Sequence, residues 1–242
     1  MNCEPLKEGS FKPLQLQPGY IAQNILSQRD KLNRYHSVYY YPVPEGKSGQ
    51  QVVDGIQKQI ELLGAVKTGN FCVDCETFQA GSGIQNTPQR QVNILHSSEQ
   101  PASCFAILDT GTCLVADALF DGLMQKLKHY YQQRKGSKIE SKGQRYEYGD
   151  FIFKVGSVSQ ASNFKGILIE IEYCPCVVAG DCMNLMKEMS QSLLGSAVAE
   201  QQSSFLKTKT DMIYTPADTM SQYLEHFNNF KKATSVNQAM NR

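Results

Sequence analysis

The chain has 242 residues, no Trp, 12 Tyr and 11 Phe, and a formal net charge of +1. That balance gives bulk electrostatics no hold on nucleic acid or on an anionic membrane surface, and no apolar run approaches the ~18 residues that span a bilayer. The length suits one domain with tails. A polar N-terminus without an apolar signal core implies a soluble, intracellular protein whose eight cysteines stay reduced.

Residues 1–37 read as a flexible extension, because Pro5, Pro13, Pro18 and scattered Gln leave little to bury. The folded domain is expected over 38–232, with a polar tail over 233–242. Val38 to Val43 is Tyr-rich and strand-like. It leads into Gly46-Lys47-Ser48, the last three residues of a phosphate-binding loop. The first glycine of that motif would fall at Tyr41, and Pro42 and Pro44 have no N–H to offer a phosphate. Ser48 with Gln51 instead spells a helix capping box. Val52, Val53, Ile56, Ile60 and Leu63 follow at helical spacing, and Gly64 ends the helix.

Strands are expected at Phe71–Phe78, Arg90–His96, Cys104–Leu108 and Cys113–Ala116, the last two joined by a tight turn at Asp109-Thr110-Gly111-Thr112. A second helix presents Phe120, Leu123, Met124, Leu127 and Tyr131 on one face and ends at Gly136. Further strands follow at Lys138–Ser141, Gln144–Tyr148, Phe151–Val158 and Ile167–Tyr173. In the last, Ile167, Ile169 and Ile171 alternate with Leu168, Glu170 and Glu172, the pattern of a half-buried strand. A third helix spans about Cys182 to Leu194, with Leu185, Met186, Met189 and Leu193 inward. After a polar loop from Gly195 to Lys209, Thr215-Pro216-Ala217-Asp218 opens a helix faced by Met220, Tyr223, Leu224, Phe227 and Phe230.

About eight strands and four helices, with short strand connections, predict an α+β fold. The sheet is expected to be antiparallel, curved or closed like a barrel, with the helices packed on it.

The chemistry-bearing motifs are weak. Ala106-Ile107-Leu108-Asp109-Thr110-Gly111-Thr112 resembles an aspartic-protease strand. That chemistry needs two aspartates sharing a proton, so only a symmetric dimer using Asp109 would serve. Cys72 and Cys75, three apart on a strand, face opposite ways. Cys174, Cys176 and Cys182 lack a fourth zinc ligand at matching spacing. His36, His96, His129 and His226 are isolated in sequence, and the basic cluster at Lys126-Leu127-Lys128-His129 and Arg134-Lys135 suits a solvated helix end. The expectation is no catalytic residue, no cofactor and no metal. Two function classes remain: an interaction subunit, favoured by many Tyr and Phe on a polar chain, and an enzyme whose site residues are scattered.

Taken in order, the segments Pro44-Glu45-Gly46-Lys47-Ser48, Leu62-Leu63-Gly64-Ala65, Gly69-Asn70-Phe71-Cys72-Val73-Asp74-Cys75-Glu76-Thr77, Ser103-Cys104-Phe105-Ala106, Leu114-Val115-Ala116-Asp117, Gly143-Gln144-Arg145-Tyr146, Glu170-Ile171-Glu172-Tyr173, Pro175-Cys176-Val177-Val178-Ala179 and Pro216-Ala217-Asp218-Thr219-Met220 resemble the Mediator complex subunit 20 family, also called TBP-related-factor-proximal proteins. The resemblance runs from about Val38 to Lys232. It implies a nuclear subunit of the Mediator head module, a coactivator linking transcription regulators to RNA polymerase II. It also implies a helix-decorated antiparallel barrel, pairing with Mediator subunit 18 and tethered through Mediator subunit 8, without catalytic residues. The barrel's likeness to RNA triphosphatases is one of shape, since Glu170 and Glu172 alone do not make a metal tunnel.

Overall fold

The computed structural model describes residues 34–81, 90–199, 203, 206 and 209–240. Nearly all of the expected extension therefore lies outside the described residues, as does Cys3. The described chain is α+β, with nine strands, all of them paired antiparallel.

β1 (Tyr35–Tyr41) begins before Val38. Its exit is a turn in which the Lys47 N–H donates to the Pro44 carbonyl at 3.2 Å, with Gly46 at φ +80°. Glycine is needed there because a side chain strains that backbone region. α1 (Gly49–Leu62) then starts at a complete capping box. The Ser48 hydroxyl accepts the Gln51 N–H at 3.2 Å, and the Gln51 side chain accepts the Ser48 N–H at 2.9 Å. Val52, Val53, Ile56 and Ile60 are buried, whereas Leu63, expected inward, is exposed beyond the helix end.

β2 (Val66–Ala80) is long enough to hold several partners. Its first part pairs with β7 (Ile139–Tyr148), and its second with β3 (Gln91–Ser97) and the short β6 (Tyr131–Gln133). β4 (Ser103–Leu108) and β5 (Cys113–Asp117) extend the sheet beyond β3. On the other side β8 (Phe151–Gln160) and β9 (Asn163–Tyr173) follow β7, and β1 pairs with β9. The order is β1-β9-β8-β7-β2-β3-β4-β5, with β6 beside β2. Of the expected curved or closed sheet, closure does not occur among the described residues: β1 and β5 end the order and are not paired with each other.

Two boundaries differ for local reasons. The helix expected to run to Gly136 is only α2 (Phe120–Lys126), because Tyr131–Gln133 finds hydrogen-bonding partners at Phe78–Ala80 and becomes a strand. The two strands expected around Gly143 are one, β7. Gly143 lies opposite Gly156 in β8, and a Cβ on it would stand 1.8 Å from the Val155 carbonyl oxygen. The glycine permits close strand approach rather than a break.

Helices cover both faces of the sheet. Tyr35, Tyr39, Phe153, Val155, Ile167, Ile169 and Ile171 pack with α1 and α3 (Ala179–Leu194). Met186 and Leu193 of α3 are buried as expected, but Leu185 is exposed. α4 (Ser196–Ala199) is a single turn. α5 (Pro216–Met240) lays Met220, Tyr223, Leu224 and Phe227 on Val38, Phe71, Val73, Cys75, Leu95, Phe105, Ile107 and Leu168. Its start is fixed by the Asp218 carboxylate, which accepts both the Thr215 N–H and hydroxyl at 2.8 Å and pairs with Lys209 Nζ at 2.6 Å. The helix continues to Met240, past the expected start of the tail.

The β8–β9 connection turns on Ala161 (φ +48°) and Ser162 (φ +67°), both in the left-handed region that disfavours ordinary side chains. Replacing the pair by Asn-Gly, the favoured residues for such a turn, is expected to stabilise the protein by about 1 kcal/mol. Denaturant midpoints check this, and an unchanged midpoint would show that the turn carries no strain.

Candidate functional site

Among the described residues the sequence motifs do not gather into one catalytic constellation. Asp109 is exposed in the β4–β5 turn, where the Gly111 N–H donates to the Leu108 carbonyl at 2.9 Å and Gly111 sits at φ +84°. Cys72 and Cys75 fall on opposite faces of β2: Cys75 is fully buried against α5, and burial pushes its thiol up to about 11. Cys176 and Cys182 both turn their thiols to the Val178 carbonyl, at 2.9 and 3.6 Å, and burial raises the Cys182 thiol far above its ordinary value. The seven described cysteines are free. His129 is exposed, while His226 is buried with Nε2 3.0 Å from the Val38 carbonyl, its pKa lowered by burial.

What the fold does assemble is a buried charge cluster beneath α5. Strand register places Lys154 opposite Glu170 and His36 opposite Glu172. Lys154 Nζ lies 3.0 Å from Glu170 Oε1 and 3.6 Å from Glu172 Oε2, and also contacts Glu99. His36 Nδ1 stands 2.6 Å from Glu170 Oε1, and Arg34 holds Glu172 Oε1 at 2.6 Å. From α5 the Tyr223 hydroxyl donates to Glu170 Oε2 at 2.8 Å. Gln222 of α5 accepts the Val38 N–H at 2.9 Å and donates to the His36 carbonyl at 3.1 Å.

Burial alone would raise both glutamates, but Lys154 and His36 outweigh it and hold both carboxyls below the usual carboxylate range. Burial likewise opposes the Lys154 charge, and the three glutamates around it keep it protonated. His36, Glu170 and Glu172 lie close enough together to suit a cation, yet the ammonium of Lys154 and the guanidinium of Arg34 already occupy their oxygens. The cluster is a bolt between β1, β8, β9 and α5. Glu170 and Glu172 stand out in the sequence, but nothing there joins them to Lys154 and His36, which strand register brings in, or to Glu99, which reaches in from the turn after β3.

The other conspicuous feature is the far end of the sheet. Among the described residues β5 pairs only with β4, and it carries Leu114 at 50% and Val115 at 62% exposure. Leu119 (80% exposed) and Leu123 of the adjoining α2 segment add to the same end. Monomeric proteins blunt open strand edges with charge or Pro, and an apolar one marks a contact surface. The only signal in the sequence was Leu114-Val115 itself, whose exposure no pattern reveals.

An open antiparallel sheet, covered by helices on both faces and leaving an apolar edge, defines an α+β domain of sheet-and-helix layers. Residues 35–228 match the family model described as the TATA-binding related factor (TRF) of subunit 20 of Mediator complex. The chain belongs to the Mediator subunit 20 family. It is 51% identical over 197 residues to Mediator of RNA polymerase II transcription subunit 20 of Gallus gallus, covering 81% of this chain and 93% of that protein. The Anopheles gambiae relative of the same name is 49% identical over 205 residues, covering 80% and 93%. The Homo sapiens relative is 48% identical over 198 residues, covering 81% and 93%. A Pyrococcus horikoshii OT3 protein of solved structure aligns over 66% of this chain and 89% of that chain at 12% identity and a TM-score of 0.41, a likeness that says nothing of function.

Proposed function

We propose that this protein is a non-catalytic subunit of the Mediator head module, acting in the nucleus as a coactivator component between transcription regulators and RNA polymerase II. It pairs with Mediator subunit 18 and is tethered through Mediator subunit 8. The family and its named relatives support the complex. Within the structure, the observation that carries a partner-dependent role is the apolar edge of β5 and α2. The ionisable residues of the inner sheet face are engaged with one another, so they hold the fold rather than await a substrate.

Coexpression with subunits 18 and 8 from the same source is expected to yield a ternary complex on size exclusion. A chain that stays monomeric beside them overturns the reading. Val115→Lys with Leu119→Lys changes exposed side chains only, so the domain keeps its stability while complex formation weakens by at least about tenfold. Unweakened assembly of that variant would remove the edge from the interface while leaving subunit membership standing.

A further inference from the structure

A row of donors crosses the outer face of the sheet beside α2. Asp74 of β2 is paired with His96 of β3, and His96 with Cys104 of β4, so their side chains stand next to one another on one face. Asp121, in the first turn of α2, reaches down to the same place. One ligand atom each from His96, Cys104 and Asp121 lies within 4.8 Å of the others. No feature of the sequence joins these residues.

The geometry points to a zinc site made by His96 Nε2, the Cys104 thiolate and an Asp121 carboxylate oxygen, with Asp74 orienting the histidine. Four observations converge on it. Nitrogen, sulfur and carboxylate donors are the set that Zn2+ takes. His96 Nε2 is buried and makes no hydrogen bond, although Asp121 Oδ2 is 3.1 Å away, so the carboxylate lies off the direction in which the ring nitrogen points. The other ring nitrogen, Nδ1, lies 3.3 Å from Asp74 Oδ1. That is the carboxylate–histidine arrangement which fixes the tautomer and leaves Nε2 to ligate a metal. Finally, His96, Asp74 and Asp121 line a cleft of about 890 Å³, giving a fourth coordination position access to water.

Zinc at bond lengths of about 2.0–2.3 Å requires donors roughly 3.3–3.8 Å apart; His96 Nε2 and Asp121 Oδ2 already stand 3.1 Å apart and all three donors lie within 4.8 Å, so side-chain adjustment suffices for loading. Asp121, half-exposed at a helix start, can adjust without disturbing the sheet. Zinc takes a thiolate and an unprotonated imidazole nitrogen, so loading releases protons and affinity rises with pH. Without metal, His96 Nδ1 rests on Asp74 while Asp121 stands beside Nε2, and the experiment separates the two states.

The 242-residue chain, stripped with a chelator, is titrated with Zn2+ and, separately, with Co2+. One ion per chain is expected in the micromolar range. Co2+ should show tetrahedral d–d absorption with a thiolate-to-cobalt charge-transfer band, and Zn2+ should raise the melting temperature. Asp121→Asn, at a surface position, is expected to lower affinity at least tenfold, and Asp74→Asn by about 10–100-fold. Cys104→Ser should abolish the charge-transfer band, whereas Cys182→Ser leaves it intact. If Cys104→Ser fails to fold, Asp121→Asn decides. Absence of saturable binding, a cobalt complex without the charge-transfer band, or binding untouched by Asp121→Asn overturns the site.

Discussion

Lys154→Met is expected to destabilise the domain by about 3–5 kcal/mol, the cost of leaving a buried ion pair without one partner. Glu170 and Glu172 are 2% and 3% exposed, so bulk water is poorly placed to replace the ammonium that Lys154 brings to them. Methionine keeps the length and apolar stem of lysine, so the loss reports charge rather than packing. The pH dependence gives a second readout. In the wild-type protein both glutamates titrate below their unfolded values, so their stabilisation is complete above about pH 4.5 and is lost as the pH falls below it. In Lys154→Met the burial that opposes their charge is no longer outweighed by an ammonium, and a proton can take its place. The difference between variant and wild type therefore shrinks on acidification. Urea unfolding at neutral pH and near pH 4.5 measures both; a loss below about 1 kcal/mol at neutral pH would show that the cluster does not bolt the strands.

Gly143→Ala is expected to cost more than the ~1–3 kcal/mol typical of overpacking. The added Cβ would lie 1.8 Å from the Val155 carbonyl oxygen and 2.7 Å from the Gly156 Cα. Both obstacles are backbone of the paired strand, so no side chain can swing aside. Gly69→Ala supplies the contrast within the same sheet: a Cβ there meets nothing within 4 Å. That change should be neutral or stabilise by up to about 1 kcal/mol through the unfolded chain. Soluble yield and thermal midpoints of the two variants check the pair, and equal effects would overturn the close-approach explanation.

These two results bear on what could be read from the chain. Caps were legible because they are local: Ser48 with Gln51 and Thr215 with Asp218 act over three positions, and both form. The same locality disposed of the phosphate loop, since Pro42 and Pro44 lack donors in any fold. Gly143 misled, because a glycine that ends a strand and one that lets two strands touch look alike until the neighbour is present. Tyr131 misled in the same way: its helical spacing was real, but the end of β2 offered it backbone partners.

By itself the sequence determined the α+β class, most element positions, the helix starts and the family-like segments. Period and capping are set by residues a few positions apart, whatever lies beyond. Only the tertiary structure decided that the sheet stays open, that β1 lies against β9, and that α5 covers the face carrying Glu170 and Glu172. Alternation along β9 shows which residues share a face, not what covers it. The glutamate face that looks solvent-exposed in sequence is therefore among the most buried in the protein, held there by Lys154, His36 and Arg34 from other strands and segments. The row from Asp74 through His96 to Cys104 is of the same kind, made by register across three strands and invisible to any spacing along one.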